Sequence, residues 1–309
     1  MKIAYLFFAY KNPKLIERAI QRLTSENSAF FVHIDAKIDI NQFAELRGDN
    51  VYFTRERLTV HWAEFTGVEA ILLLMREALF APGDFDYFVL MSGSEYPLRS
   101  KEYIEKFFEE NRGQEFITMA KTDAPGDPLL RLNTLRYPST RPVLRFASRM
   151  LAKIGLARRD YRKHLRNLEP YSGITWWALS RDACQYILEF NQSDHVLNKF
   201  LKYTFAPEEI YIHTILGNSP LKSNIRANLL FEDWSPRNKV RSLRAQWHGL
   251  PAMINETHCD LFEANEKVSV TPNGLGELLF ARKLSDENLS IVDRLDKMIC
   301  RKEGYCVSK

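Results

Sequence analysis

The stretch KIAYLFFAYKNPKLIERAIQRLTSENSAFFVHID, residues 2–35, decides the fold. Two apolar runs flank the amphipathic run PKLIERAIQRL. Apolar strands of this length that alternate with amphipathic helices are typical of a parallel sheet covered by helices. The alternation continues to about residue 120, with strands predicted at NVYFT, DYFVLMS and EFITMA and helices at FTGVEAILLLMREALF and SKEYIEKFFEE. We therefore predict an α/β protein with a mostly parallel sheet.

The second half of the chain is less regular. From residue 121 to residue 170 the alternation stops, and this segment is rich in proline and arginine, which predicts an excursion from the sheet. A strand at GITWWALS and a helix from Arg181 resume the core, followed by APEEIYIHTIL, NLLFEDWSP, LGELLFARKLS and a C-terminal helix. Because no linker-like segment interrupts the chain, we predict one domain over residues 1–309 with an embellished C-terminal half.

The bulk composition is that of an ordinary globular protein. Hydrophobic residues make up 45% of the 309 residues and charged residues 27%. No run approaches the roughly 20 apolar residues that span a bilayer, and the apolar N-terminus is short and lacks a small-residue cleavage site. The cysteines have no zinc-like spacing and are too few for a disulfide scaffold; they are Cys184, Cys259, Cys300 and Cys306. We expect free thiols in a cytoplasmic or membrane-face protein, with a Cys300–Cys306 bridge as the alternative.

The positive charge is concentrated in one segment. Residues 131–166 hold eleven Lys or Arg against one acid, Asp160, which gives this segment a charge of +10. Because the net charge of the chain is +4, the remaining residues sum to −6. Four cations recur at every fourth position, with apolar residues between them: Arg141, Arg145, Arg149 and Lys153. This pattern predicts a helix that docks, through residues 141–166, on an anionic membrane surface. The alternative is an internal helix whose arginines pair with acids or with a nucleotide.

Ligands of parallel α/β sheets bind at the carboxyl ends of the strands. That rule selects His33–Asp35 and Ser92–Pro97. The sequence has no GxGxxG, Walker, GxSxG or HExxH motif. Its one DxD, Asp84–Asp86, precedes a strand rather than following it, which favours a solvated turn over a metal site. His33 and His213 are expected to be structural.

Two short runs carry charged residues that have both a structural and a catalytic interpretation. In APEEIYIHTIL, Glu208 and Glu209 follow a proline at a predicted helix start, where an acid is either a cap or a general base. In LFARKLS, Arg282 and Lys283 suit a diphosphate or a helix end. The tryptophans stack on sugars or fill the core, and they include Trp62, Trp176, Trp177 and Trp234.

The motifs FFVHID, FDYFVLMSGSEYPLRS, SGITWWALSR, APEEIYIHTIL and LFARKLS occur in one order between residues 30 and 285, within a likeness that runs from about residue 5 to residue 285. In that order and spacing the chain resembles the core-2/I-branching β-1,6-N-acetylglucosaminyltransferase family, which also contains peptide O-xylosyltransferases. The resemblance implies a GT-A-type glycosyltransferase fold with a Rossmann-like sheet, inversion at the sugar carbon, and no need for a metal. It further implies a compact, bacterial-type relative.

The resemblance also assigns roles to individual residues. It implies that Glu209 is the catalytic base and leaves the capping role to Glu208. The donor-binding positions fall on Asp35, Val60, His61, Trp62, Arg282 and Lys283, with the last two on the diphosphate. Thr175 stands where the xylosyltransferases carry an acid at the acceptor, which argues against a protein serine as acceptor. Trp176 and Trp234, as aromatic side chains that can stack on sugars, complete the predicted acceptor residues.

The function expected from the sequence is therefore an inverting, metal-independent transfer of N-acetylglucosamine from its UDP-sugar to a hydroxyl. Residues 1–120 would form the nucleotide-sugar-binding half, and residues 121–309 the acceptor-binding and catalytic half. We expect no cofactor, a glycan or lipid-linked glycan acceptor, a role in polysaccharide biosynthesis, no nucleic acid partner, and a cytoplasmic place on the inner membrane face. The alternatives are UDP-xylose as donor, a metal-dependent transferase that uses the DxD, and a non-catalytic glycan-binding relative.

Overall fold

The computed structural model describes residues 1–193, 195–234, 251–264, 270–271 and 274–303. The strands are β1 (Ile3–Ala9), β2 (Ser28–Ile34), β3 (Val51–Phe53), β4 (Tyr87–Ser92), β5 (Glu95–Pro97), β6 (Glu115–Phe116), β7 (Met119–Lys121), β8 (Tyr171–Gly173), β9 (Ala178–Ser180), β10 (Ile225–Arg226), β11 (Leu230–Glu232), β12 (Val270–Thr271), β13 (Gly274–Leu275) and β14 (Phe280–Arg282). The helices are α1 (Pro13–Leu23), α2 (Phe65–Leu79), α3 (Lys101–Glu110), α4 (Asp127–Leu132), α5 (Pro142–Lys153), α6 (Arg162–Leu165), α7 (Arg181–Ser193), α8 (His195–Leu201), α9 (Tyr211–Gly217), α10 (Glu256–Ala264) and α11 (Leu289–Glu303).

The central sheet confirms the α/β prediction. Its strand order is β10-β6-β9-β4-β1-β2-β3. Strands β1 to β4 are mutually parallel where they pair, whereas β9 runs antiparallel to both β4 and β6. A smaller sheet, β11-β14-β5, lies beside it and pairs β14 antiparallel with β5. The C-terminal strand β14 is thereby joined to the loop region that follows β4.

Each face of the central sheet is covered by its own core. Successive residues of β1 point to opposite faces, so Tyr5 packs with α1, α3, α10 and α11, and Leu6 packs with α2, α7, α8 and α9. This two-sided burial explains why β1, β2 and β4 consist almost wholly of apolar residues. Within these cores Cys184 and Cys259 are buried free thiols, as predicted, and Cys306 lies outside the described residues.

Two predicted elements differ from the structure. The run GITWWALS is not one continuous strand. Its first residue, Gly173, ends β8, which pairs with β7 outside the central sheet, and only Ala178–Ser180 joins the central sheet. Gly173 closes against the Thr118 carbonyl, where a Cβ would lie 1.8 Å from that oxygen. The helix predicted from Pro207 begins at Tyr211 instead. Before it, Pro207–Glu209 forms a separate 3₁₀ turn, since the Glu209 N–H bonds the Ala206 carbonyl three residues back.

The other expectations about the second half and the DxD are consistent with the structure. Residues 121–170 leave the central sheet and form α4, α5 and α6. Asp84 is fully exposed at a positive φ of 46°, and Asp86 accepts hydrogen bonds from the Lys2 N–H and from Arg112. The described part of the chain contains no helix that is both long enough and apolar enough to span a membrane.

Candidate active site

The carboxyl ends of β1, β2 and β4 meet at one edge of the central sheet. The Asp35 N–H, directly after β2, donates to the Ala9 carbonyl at the end of β1 over 3.0 Å. The loop after β4 approaches the loop after β1 so closely that a Cβ on Gly93 would lie 2.5 Å from the Lys11 carbonyl oxygen. The two regions that the strand-end rule selects therefore share this edge.

Asp35 is buried and organises the loop that carries Val60. Its Oδ1 accepts from the Lys37 N–H at 3.0 Å and from the Val60 N–H at 3.4 Å, and its Oδ2 lies 3.3 Å from the Lys37 Nζ. Nearby, burial lowers the pKa of His33 to about 4, so the neutral ring accepts a 2.9 Å hydrogen bond from the Leu58 N–H. His33 thus has the structural role that was predicted.

The next residues along this loop touch the turn that carries the two glutamates. Trp62 is 66% exposed and meets the Phe205 ring edge-on at 5.5 Å between centroids. The Ala206 N–H donates to the Ala63 carbonyl at 3.2 Å. Both alanines have left-handed backbones, with φ of 57° at Ala63 and 49° at Ala206, and such conformations in non-glycine residues cluster at functional sites.

Glu209 and Glu208 are neighbours in different environments. The Glu209 side chain is 39% exposed and accepts a 2.5 Å hydrogen bond from Arg131 Nη1. Arg131 also binds Asp127 at 2.5 Å and stacks on Phe205; burial acts to lower its pKa, but the two acids raise it. For Glu208, burial and then the Glu209 charge raise the pKa to about 8, and its buried Oε2 has no hydrogen-bond partner among the described residues.

Arg282 lies between two buried carboxylates. Its Nη1 binds Glu95, its Nε lies 3.1 Å from a Glu232 oxygen, and the two acids are only 2% and 4% exposed. The guanidinium also packs over the Trp176 ring, 4.5 Å from the centroid, and Trp234 Nε1 donates to Glu232 at 3.1 Å. Of the predicted acceptor tryptophans, Trp176 therefore contacts Arg282 directly and Trp234 contacts its partner Glu232. The charge of Arg282 is already balanced by carboxylates within the protein.

Lys283 is the less committed of the two predicted diphosphate cations. Its side chain is half-buried, and within the described residues its Nζ makes no hydrogen bond or ion pair. Burial, followed by the charges of Lys11 and Arg282, lowers its pKa. Lys11 was missed by the sequence reasoning, although it follows β1 and the strand-end rule would have found it.

Helix α9 connects the glutamate turn to the predicted acceptor segment. Burial lowers the pKa of His213 to about 4, and its neutral ring forms a 3.0 Å hydrogen bond with the Ile174 carbonyl. Thr175 follows directly and is half-buried. On the other side, burial is the main cause that raises the pKa of Glu232, and the charges of Glu95 and then Glu209 add smaller contributions. The glutamate turn and the Arg282 cluster are thus within electrostatic reach of each other.

Comparisons with known proteins match most of this chain to one family. The family model described as Core-2/I-Branching enzyme matches residues 3–261. Xylosyltransferase 2 from Rattus norvegicus is 25% identical over 255 residues, which cover 76% of this chain and 27% of that protein; Xylosyltransferase 1 from the same organism is 23% identical over 76% of this chain and 28% of its own length. The chain therefore spans little more than a quarter of these curated relatives.

Among solved structures, the chain also aligns with 4-diphosphocytidyl-2C-methyl-D-erythritol synthase from Anaerococcus prevotii. It is 11% identical, with a TM-score of 0.32, and the alignment covers 64% of this chain and 82% of that one. The sheet order, the helices on both faces and the family match are those of a GT-A-like fold. Because the family model covers most of the sequence, the chain belongs to the Core-2/I-branching enzyme family.

Proposed function

We propose that this chain is an inverting, metal-independent glycosyltransferase that moves N-acetylglucosamine from UDP-N-acetylglucosamine to a hydroxyl of a glycan acceptor. The observation that supports this most is the position of Glu209. Its partly exposed carboxylate lies on a turn that contacts Trp62 on the donor side and is electrostatically coupled to Glu232 on the acceptor side. A general base needs this location between the two substrates.

In the proposed reaction, a Glu209 oxygen takes the proton from the acceptor hydroxyl while the hydroxyl oxygen forms a bond to the anomeric carbon. The bond from the anomeric carbon to the UDP oxygen breaks, and its electron pair leaves with UDP. The configuration inverts because the hydroxyl attacks opposite the leaving group. Arg131 holds the Glu209 carboxylate through its 2.5 Å hydrogen bond and so keeps it oriented.

The charge that develops on UDP needs fixed cations nearby. Lys283 and Lys11 are the proposed diphosphate ligands, because Lys283 forms no ion pair within 4.0 Å among the described residues and lies close enough to Lys11 to feel its charge, although the charges of Glu95 and Glu232 also act on it. Arg282 contributes less directly, since it shares its charge with Glu95 and Glu232. Asp35, Val60 and His61 are proposed to hold the nucleotide and Trp62 the donor sugar.

The acceptor proposal rests on Thr175, Trp176 and Trp234. The hydroxyl of Thr175 carries no charge, and the two tryptophans offer faces on which a sugar ring can stack. We therefore propose a glycan or a lipid-linked glycan rather than a protein serine, a role in polysaccharide biosynthesis, and a cytoplasmic location at the inner membrane face. The relatives named xylosyltransferases support UDP-xylose as the alternative donor.

The proposal is tested by incubating the purified chain with individual UDP-sugars, with and without EDTA, and measuring UDP release and thermal shift. We expect UDP-N-acetylglucosamine to raise the melting temperature and to release UDP at the same rate in EDTA. Faster release from UDP-xylose would establish the alternative donor. Loss of activity in EDTA would overturn metal independence. Binding of glycans without UDP release from any donor would identify a non-catalytic relative.

A further inference from the structure

Helix α5 and the turn after it expose an unusual amount of apolar surface. Of the fifteen large hydrophobic side chains that are exposed among the described residues, seven lie between residues 143 and 156. They are Val143, Leu144, Phe146, Met150, Leu151, Ile154 and Leu156, between 42% and 78% exposed. Exposed apolar residues scattered singly need no explanation, whereas a contiguous group of this size marks an interaction surface.

Basic side chains are interspersed with these apolar residues. Arg141, Lys153 and Arg158 are exposed, and residues 141–158 contain no acid. The pattern differs from the regular row of four cations predicted from the sequence, because Arg145 turns inward and binds the buried Glu64. Arg145 follows the alternative prediction, in which an arginine of this helix pairs with an acid. The outward face keeps both its apolar and its basic residues.

The inward face of α5 is hydrogen-bonded to the loop that carries Val60 and Trp62. Glu64 accepts hydrogen bonds from Arg145 and also from the Ser139 N–H at 2.9 Å and the Ser139 hydroxyl at 3.0 Å. Glu64 lies two residues after Trp62. The exposed face of α5 is therefore anchored beside the proposed active site.

We propose that the exposed face of α5, from Arg141 through Arg158, docks on an anionic lipid bilayer and brings a lipid-linked acceptor to Glu209. Charge complementarity selects this occupant, since apolar side chains can enter the acyl region while the cations beside them contact anionic headgroups. The proposal that α5 docks on a bilayer depends only on the exposed residues of this helix and the turn after it. The role of the docked state in acceptor delivery rests on the proposed function.

Co-flotation with vesicles tests the docking. We expect the chain to float with vesicles of phosphatidylcholine mixed with phosphatidylglycerol, to stay behind with phosphatidylcholine alone, and to detach at high salt. The double variant Phe146→Ser with Ile154→Ser should abolish flotation. Arg141→Gln and Lys153→Gln should each weaken partitioning about fivefold. The matched controls are Phe80→Ser, 74% exposed at the end of α2, and Lys106→Gln, 74% exposed on α3, and both should float normally.

Absence of flotation, equal flotation with both vesicle types, or an equal loss in the controls would overturn the docking. Self-association that the Phe146→Ser, Ile154→Ser variant removes, without vesicle binding, would make this face an interface between two copies and would also overturn it. Release of UDP from the soluble donor separates the two proposals. The docking variants should retain that release, whereas a wild-type chain that floats but releases no UDP from any donor leaves the docking intact and refutes the proposed function.

Discussion

The glutamate turn (Pro207–Glu209) and the end of β14 each carry two adjacent ionisable residues of the same kind, and among the described residues only one of each two is paired. On the turn, Glu209 is paired with Arg131 and is also the more accessible glutamate, while Glu208 buries an oxygen that has no partner within the described part of the chain. The ion pair therefore holds in position the residue that is free to meet a substrate. Pairing here supports the proposed catalytic role.

At the end of β14 the pairing has the opposite consequence. Arg282 is the paired residue, but its two partners are buried carboxylates that use up its charge, while Lys283 keeps a charge without a counter-ion among the described residues. The ion pairs of Arg282 therefore indicate a structural role for this residue, and Lys283 is the better candidate for binding the diphosphate. Like charge at adjacent positions does not imply like function; burial and partners decide.

The largest effect is expected on the glutamate turn. Glu209→Gln retains the shape of the side chain but cannot accept a proton, so sugar transfer should fall by roughly 10²–10⁴-fold. Donor binding, measured by thermal shift with the UDP-sugar, should stay close to wild type. Glu208→Gln at pH 7 is the matched control and should keep transfer within a few-fold of wild type. Near-normal transfer by the Glu209→Gln enzyme would refute the assignment of the base.

A matched pair at the end of β14 tests the second half of the comparison. Arg282→Gln leaves Glu95 and Glu232 buried without a cation, and the free energy of unfolding should drop by about 3–5 kcal/mol. Lys283→Gln breaks no described ion pair, so its stability should change little, whereas its affinity for UDP should fall about tenfold. Urea unfolding and UDP titration of both variants provide the measurement. If Arg282→Gln proved as stable as wild type and lost UDP binding instead, the two roles would be exchanged.

The smallest effect concerns the pH dependence of stability. Burial raises the pKa of Glu208 from its ordinary 4.5 to about 8, so between these values the folded chain binds a proton more tightly than the unfolded chain. Its contribution to the free energy of unfolding is therefore fully present below about pH 4.5 and is lost as the pH rises through about 8. Glu208→Gln does not titrate. It should match wild type near and below pH 4.5, and become progressively more stable than wild type as the pH rises towards 8.

Thermal unfolding of wild type and Glu208→Gln across this pH range measures the difference. Parallel pH curves for the two proteins would mean that the Glu208 carboxyl is solvated and titrates normally. A constant loss of stability in the variant at every pH would instead support the role as a helix cap that the sequence predicted.

The elements that the sequence predicted well are those with a local signal. Helix α1 has the predicted bounds, Pro13–Leu23, because its apolar residues recur at helical spacing and a proline opens its first turn. The start of α9 was wrong by four residues because the preceding turn depends on a contact with Ala63, far away in the chain. Periodicity in a short window contains no information about such a contact.

The charged residues divide in the same way. The sequence by itself determined the α/β architecture, the strand ends at which a ligand would bind, the family, and the positions of Glu209 and Lys283 in recognisable motifs. Only the tertiary structure decided that Arg131 holds Glu209, that Glu95 and Glu232 neutralise Arg282, and that Arg145 turns inward to Glu64. Apolar periodicity is a property of neighbouring residues and can be read in a short window. The partner of a charged residue lies far away in the chain, because Arg131 and Glu209 are 78 positions apart and Arg282 and Glu95 are 187 positions apart. The pairing of charges, and with it the division between structural and catalytic roles, exists only once those segments have packed together.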